Sequence, residues 1–392
     1  MIIGELSCGT SCEKRYYLQK NLYDFLGKKY KKFYFINTHN IFNKKKLKIN
    51  YNFYKKKNII HFNPKSVSEL NEFLNKNDIF LINNVSFQFK HIFFHYLVSK
   101  NNIFQISFSN IFQFSNYKIE NWAYVDFIRK LKFLFTKKIS LVVYRVLVIL
   151  RLINQINILC IAKKNVFNRY RTNLGKNTLF LKKYKDIRSV SVKLPSYHDQ
   201  KKISKKYITF IDSGILHLDI IKRGYIINNK MMNNYFSFLK NYLTKLNKIF
   251  NKEIIICLHP TSNYSLYKKK LNGFKVYKYK TEEYVINSFL VLFHDSTSIF
   301  SAIILKKKII SLKSNIMGPY LNARRFFYVK NFNFLEHDIE KKIQIKKKLT
   351  SNRLDKKINY YYKVIKKLYY TEENSLSINR IIDFEIQKFI NR

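Results

Sequence analysis

Two short apolar runs in the second half of the chain end abruptly in polar groups, and they constrain the fold more than any other feature. Ile254-Ile255-Ile256-Cys257-Leu258 leads into His259-Pro260-Thr261-Ser262, and Val291-Leu292-Phe293 leads into His294-Asp295-Ser296-Thr297-Ser298. Unbroken branched and aromatic runs suit strands buried on both faces, which occur in parallel sheets covered by helices. Pro260 turns the chain out of the first strand just after His259. The second run is followed by the helix-like stretch Ile299 to Leu305. Both runs read as parallel strands delivering side chains at their carboxyl ends, where open α/β sheets bind ligands.

Similar alternation fills the rest of the chain. A strand over Met1 to Glu5 gives way to a Gly/Ser/Thr/Cys loop through Ser11 and a helix from about Glu13 to Leu26. Strands follow at Phe33 to Asn37, Ile59 to Phe62, Ile79 to Ile82, Ile103 to Phe108 and Val190 to Leu194, with a helix over Phe89 to Val98. Ser66 and Glu69 have capping-box spacing and open a helix to about Leu74. After a lysine-rich linker at 200–206, a second unit begins with a strand over Tyr207 to Ile211 and the turn Asp212-Ser213-Gly214. Its helix from Tyr235 to Phe250 carries the stripe Phe236, Leu239, Leu243, Leu246, Phe250. Phe274 to Tyr277 and Ile309 to Leu312 add strands, and Thr281 with Glu282 and Glu283 opens another helix. The tail from Ile339 onward reads as basic and helical.

Size and composition fit two domains. The chain has 392 residues, 47% apolar, with only 8 Gly and 4 Pro, so it is globular rather than linker-rich. Lys and Arg number 74 against 24 Asp and Glu, a formal charge of +50 that favours anionic surfaces. Abundant Lys, Asn, Ile, Tyr and Phe together also reflect an AT-rich coding bias. The basic residues are scattered rather than gathered with aromatics into one groove, which disfavours nucleic acid and suits a membrane face. Residues 123–162 are apolar with basic interruptions; Arg145 and Arg151 break any 18-residue apolar span, leaving a packed helical insert or a helix in the membrane interface. Cys8, Cys12, Cys160 and Cys257 form no secreted disulfide pattern, and the start of the chain lacks a signal-peptide pattern, so a cytoplasmic location is expected.

Phosphate chemistry is the natural use of these strand ends. His259 can donate to a phosphate oxygen, with Thr261 and Ser262 beside it. Ser296, Thr297 and Ser298 form a compact donor cluster before a helix, although one hydroxyl there is accounted for by capping. His294 and Asp295 could orient a ribose or the leaving phosphate. No P-loop pattern is present. Asp212, with Gly214, His217 and Asp219, could hold a sugar hydroxyl or simply shape a turn. No third ligand accompanies His217 and Asp219, so no metal is expected. Glu5, on the rim of the first strand beside Gly4 and Gly9, and the pair His198–Asp199 are candidates for the base that takes an acceptor proton; Ser7, Thr10 and Ser11 could line the acceptor side.

At His259-Pro260, at Ser296-Thr297-Ser298 and at the following Leu305 to Ile310 segment, the chain resembles two-domain bacterial surface-polysaccharide glycosyltransferases, including capsule, lipopolysaccharide and sialyltransferase-like enzymes. The likeness spans about residues 190 to 312 and includes Ser196 to Asp199 and Asp212 to Asp219. It implies an α/β GT-B-like fold: two Rossmann-like domains facing across a cleft, with basic C-terminal helices. The domains would span 1–200, with the insert near 123–162, and 207–335, with helices over 336–392 packing back on the first. It implies that His259, Ser296, Thr297 and Ser298 bind the nucleotide-sugar donor and that the base is an acidic residue of the N-terminal domain; the residues themselves add Pro260, Thr261 and His294 to the donor side and offer Glu5, Asp199 and Asp212 as the catalytic carboxylates. The family's acidic-acidic-Gly motif has no clear counterpart near the N-terminus. The expected reaction is inverting, metal- and cofactor-independent transfer from a nucleotide-activated sugar, CMP-linked in the sialyltransferase-like group, to a lipid-linked or oligosaccharide acceptor at the inner membrane face. Alternatives are a sugar-nucleotide epimerase, a polyol-phosphate transferase, an inactive assembly protein of the pathway, or a basic nucleic-acid-binding protein.

Overall fold

The computed structural model describes residues 1–8, 16, 20–30, 33–42, 58–85, 91–108, 139, 142–144, 146–154, 157–161, 188–191, 206–214, 227–341, 352–368 and 378–391. They fall into two compact units. The first takes described residues from Met1–Ile111, Lys130–Pro195 and Tyr369–Arg392, and the second takes those from Ser196–Leu368.

In the first unit, strands β1 (Ile2–Ser7), β2 (Phe33–Asn37), β3 (Ile59–Phe62), β4 (Ile79–Asn83), β5 (Phe104–Phe108), β6 (Ile158–Ile161) and β7 (Arg188–Ser191) alternate with helices α1 (Lys20–Lys29), α2 (His39–Phe42), α3 (Val67–Lys76) and α4 (Ile92–Lys100). They pair in the order β3-β2-β1-β4-β5-β6-β7, every pair parallel. Helix α3 starts as its spacing predicts: Ser66 Oγ accepts from the Glu69 amide at 3.1 Å, and Glu69 Oε2 accepts from the Lys65 amide at 2.6 Å. Leu70 and Leu74 of α3 then pack with Leu6, Ile36 and Leu81 of the sheet.

In the second unit, β8 (Tyr207–Ile211), β9 (Glu253–Leu258), β10 (Lys275–Lys278), β11 (Ser288–Phe293), β12 (Lys308–Lys313) and β13 (Leu335–Asp338) alternate with α5 (Asn229–Phe250), α6 (Tyr264–Lys270), α7 (Thr281–Ile286), α8 (Ile299–Ile304) and α9 (Gly318–Phe332), followed by α10 (Asn352–Leu368). The order is β10-β9-β8-β11-β12-β13, again parallel throughout. The stripe read from α5 is the buried one: Phe236, Leu239, Leu243 and Leu246 pack on Ile208, Phe210, Ile254, Ile256 and Leu292. Asn228 caps this helix by accepting from the Met231 amide at 2.9 Å. The C-terminal helices divide between the units. Tyr361 of α10 meets Phe334 at 4.7 Å, whereas Asp383 of α11 (Ile378–Ile390) accepts from Lys29 Nζ and Tyr30 OH, each at 2.6 Å, in the first unit.

Each sheet is a Rossmann-like arrangement in which the first strand in sequence lies beside the fourth. Connections leave such neighbours in opposite directions, so each sheet has a switch point, β1/β4 in the first unit and β8/β11 in the second, where ligands are received outside the carboxyl ends.

Candidate functional site

At the second switch point three polar turns meet. They follow β8 (Asp212, Ser213, Gly214), β9 (His259 to Ser262) and β11 (His294 to Ser298). Gly214, at φ 67°, takes the left-handed backbone that makes the first of these turns sharp. Asp212 holds the first two together. Its carboxylate accepts from Ser262 Oγ at 2.6 Å and from Tyr267 OH at 2.7 Å, while its own amide donates to the Cys257 carbonyl at 2.9 Å. Ser213 joins the third turn, its Oγ accepting from the Asp295 amide at 2.7 Å. The strand ends singled out in the sequence are therefore tied into one rim.

Asp212 is buried, and burial pushes its carboxyl above the usual carboxylate range; hydrogen bonds from Ser262, Tyr267 and the Gly214 and His259 amides oppose that rise. Both of its oxygens are engaged by donors of the rim. Tyr267, which the sequence reading missed, comes from α6, a helix announced only by Asn263, whose side chain accepts from the Leu266 amide at 3.1 Å.

His259 and Pro260 are half-buried, Thr261 is exposed and Ser262 is buried. The Thr261 amide donates to His259 Nδ1 at 3.3 Å, and Thr261 Oγ1 lies 2.7 Å from the same nitrogen. Because Nδ1 accepts, the neutral ring carries its proton on Nε2, which makes that atom a donor. Past β11, Ser296 and Ser298 are half-buried and Thr297 is exposed. Capping here differs from expectation: Ser298 has no side-chain cap bond, and Ser296 Oγ accepts from the Ser298 amide at 3.3 Å.

His294 lies deeper than a ligand-binding role at the rim suggests. It is buried, its Nδ1 donates to the Leu312 carbonyl at 2.7 Å, and Nε2 accepts from Tyr235 OH at 2.8 Å. Burial lowers its pKa to about 4, so at neutral pH it is an uncharged pin joining β11 to β12 and α5. Asp295 is also buried, and its pKa rises to about 6 through burial despite Arg324, whose Nε is 2.8 Å from Oδ2. Its Oδ1 has no hydrogen-bond partner among the described residues. Arg324, on α9, was invisible to the sequence reading.

In the first unit, β1 continues to Ser7, so Glu5 lies within the sheet instead of at its rim, paired in register with Phe35 and Ile82. It is fully buried; Oε1 accepts from Asn84 Nδ2 at 2.9 Å and Oε2 from Tyr23 OH. Ser7 is buried as well. Gly9, Thr10, Ser11, His198, Asp199, His217 and Asp219 lie outside the described residues, as does most of the insert at 123–162. Among the described residues no group of three or more His, Cys, Asp or Glu side chains is placed to hold a metal, and no helix is long and apolar enough to cross a membrane.

No protein-family model and no curated protein sequence matches the chain. Solved structures do match over the whole length. CalG4, the calicheamicin glycosyltransferase, superposes with a TM-score of 0.51 at 8% identity, covering 100% of this chain and 99% of its own. The apo form of UGT2 from Phytolacca americana gives 0.51 at 9% identity, with 100% of each chain covered. MnaA of S. aureus, solved with UDP, gives 0.50 at 11% identity, with 100% and 97% covered. At such identities the likeness is one of fold, the pair of Rossmann-like units called GT-B.

Proposed function

We propose that this protein is a glycosyltransferase that takes a sugar from a nucleotide-activated donor, and that the rim of the second unit binds the donor's phosphate. One observation carries the reading: imidazole, hydroxyl and amide donors from two strand ends are tied into one rim through Asp212 and Ser213. The fold similarity to calicheamicin glycosyltransferase, and to MnaA solved with UDP, supports it.

In this account the acceptor hydroxyl oxygen forms a bond to the anomeric carbon as the bond from that carbon to the donor phosphate breaks, inverting the centre. The leaving phosphate takes the electron pair and the acceptor proton passes to a base. Nε2 of His259, with Thr261, Ser296, Thr297 and Ser298, faces the negative charge that grows on the phosphate. Pro260 shapes the turn that presents them, and Asp212 and His294 hold the strand ends in place. In this account the His198–Asp199 pair is the base, while Glu5 is held by Tyr23 and Asn84. Following the resemblance, the donor is CMP-linked, no metal takes part, and the acceptor is a growing cell-surface glycan at the inner face of the membrane.

A thermal-shift screen of CMP-, UDP-, GDP- and CDP-linked sugars tests the reading, because a ligand specific to the native state raises the melting temperature. One nucleotide class is expected to stabilise the protein. Replacing His259 with alanine should weaken that donor about 10- to 100-fold, the value of a hydrogen bond to a charged group. A chain stabilised by none of the four, or a His259→Ala variant that binds its donor like the wild type, would count against the assignment.

A further inference from the structure

One helical segment of the first unit has two apolar faces, and only one of them is packed. Residues 142–144 and 146–149 are helical. Tyr144 clusters with Ile92 and Ile153, supported by Val143, Leu147 and Val148, and its ring meets His95 edge-on at 5.5 Å. The other face is open: Val142, Val146, Ile149 and Leu150 are 54%, 46%, 47% and 60% exposed, and Ile139 and Leu152 add 46% and 47%. Spacings of four, seven and eight residues from Val142 put these aliphatic side chains on one stripe. The stripe has a fixed end. Arg151 adopts φ 57°, with its amide on the Val148 carbonyl at 3.1 Å and the Leu152 amide on the Leu147 carbonyl at 2.9 Å, a Schellman closure. Exposed Leu150, Arg151 and Leu152 are thereby held together. Helix α4, against which the segment packs, carries exposed Phe93 and Tyr96 and ends at Lys100.

The charge along the stretch of sequence that carries this stripe says what it suits. From Asp126 to Asp186 no acidic residue intervenes, while 15 Lys and Arg do. A second copy of the chain would bring one formal charge of +50 against another, and like charges so juxtaposed oppose association. Nucleic acid offers no apolar layer for a row of Val, Ile and Leu. A bilayer of anionic phospholipid offers both an acyl boundary for the aliphatic side chains and negative headgroups for the cations.

We propose that this face docks the protein on an anionic phospholipid surface, with the Val142–Leu150 stripe lying in the headgroup–acyl boundary. This deepens the reading above, because a lipid-linked acceptor would be met at that surface, but its test needs no nucleotide. The full chain is sedimented with vesicles of phosphatidylcholine alone and of phosphatidylcholine mixed with phosphatidylglycerol, at rising salt. Binding is expected to the mixed vesicles only and to weaken as salt screens it. The double variant Val146→Asp, Ile149→Asp should lose affinity about tenfold or more, with an unchanged melting temperature because both positions are open to solvent. Should that variant fail to fold, Arg151→Glu provides a second reading, with lower affinity and a shallower salt dependence. Absence of binding, equal binding to both vesicle types, or full affinity in a folded variant would overturn the proposal. So would light scattering that shows a wild-type dimer reduced to monomer by the substitutions, which would make the stripe a self-association face. Failure here leaves donor binding untouched, and failure of donor binding leaves this untouched.

Discussion

Replacing Asp212 with alanine is expected to destabilise the second unit by about 3 kcal/mol, because it strands the buried hydroxyls of Ser262 and Tyr267 at roughly 1 to 3 kcal/mol for each unsatisfied group. The loss would reach function as well. The Asp212 side chain bonds both the turn after β9 and helix α6, so the variant should bind donor poorly even where it remains folded. Asparagine keeps one oxygen acceptor, and the hydroxyls can turn to accept from its amide, so Asp212→Asn should cost roughly half as much. Urea unfolding of the three proteins checks this ordering. An alanine variant within about 0.5 kcal/mol of the wild type would mean that the carboxylate does not bolt the rim.

A second large effect is hidden by compensation. His294 titrates at about 4 in the folded protein against about 6.5 unfolded. As pH falls through that window the unfolded chain takes up a proton that the folded one refuses, and stability declines by about 3 kcal/mol. Asp295 does the reverse. Its folded value of about 6 exceeds the unfolded value of about 3.9, so the folded state binds the proton first and stability rises by about 3 kcal/mol over nearly the same range. The pair should cancel in the wild type. Removing either partner exposes the other: Asp295→Asn should lose stability steadily between about pH 6.5 and 4, and His294→Gln should gain it between about pH 6 and 4. Differences from the wild type, measured by denaturant titration at each pH, remove the contributions of other groups. Parallel curves for all three proteins would contradict the burial assigned to these two side chains.

Where the sequence was legible, a simple pattern matched a simple environment. Tyr207–Ile211 and Ile59–Phe62 form strands with the expected bounds, and Glu253–Leu258 exceeds its reading by one residue, because buried parallel strands are continuous apolar runs. Helix α9 and strand β13 escaped for the opposite reason. The inward stripe of α9 is Leu321, Arg325, Tyr328 and Phe332, and a buried arginine at its second position, paired with Glu336 of β13, masks the apolar period. Strand β13 itself is Leu-Glu-His-Asp, half-exposed at the sheet edge, where no apolar run is required. Gly318-Pro319 was the available signal for α9, since Pro suits a first helical turn. It would have led to Arg324 beside Asp295.

At the site, residue types were readable but directions were not. Hydroxyls and imidazole at strand ends could be listed from the sequence, whereas whether a strand stops at Glu5 or runs on to Ser7 decides how deep in the sheet the carboxylate lies. His294 shows the same thing: the residue directly after a buried strand turned inward to Tyr235 and Leu312, while His259, equally placed after its own strand, stayed at the surface of its turn.

The central claim is that the ends of β9 and β11 form a single anion-binding rim, and a crystal structure of the full chain with the nucleotide that stabilises it tests this most directly. The account predicts phosphate oxygens within hydrogen-bond distance of both His259 Nε2 and the Ser296–Ser298 turn. Phosphate bound at the first unit's switch point, or contacting neither strand end, would contradict it.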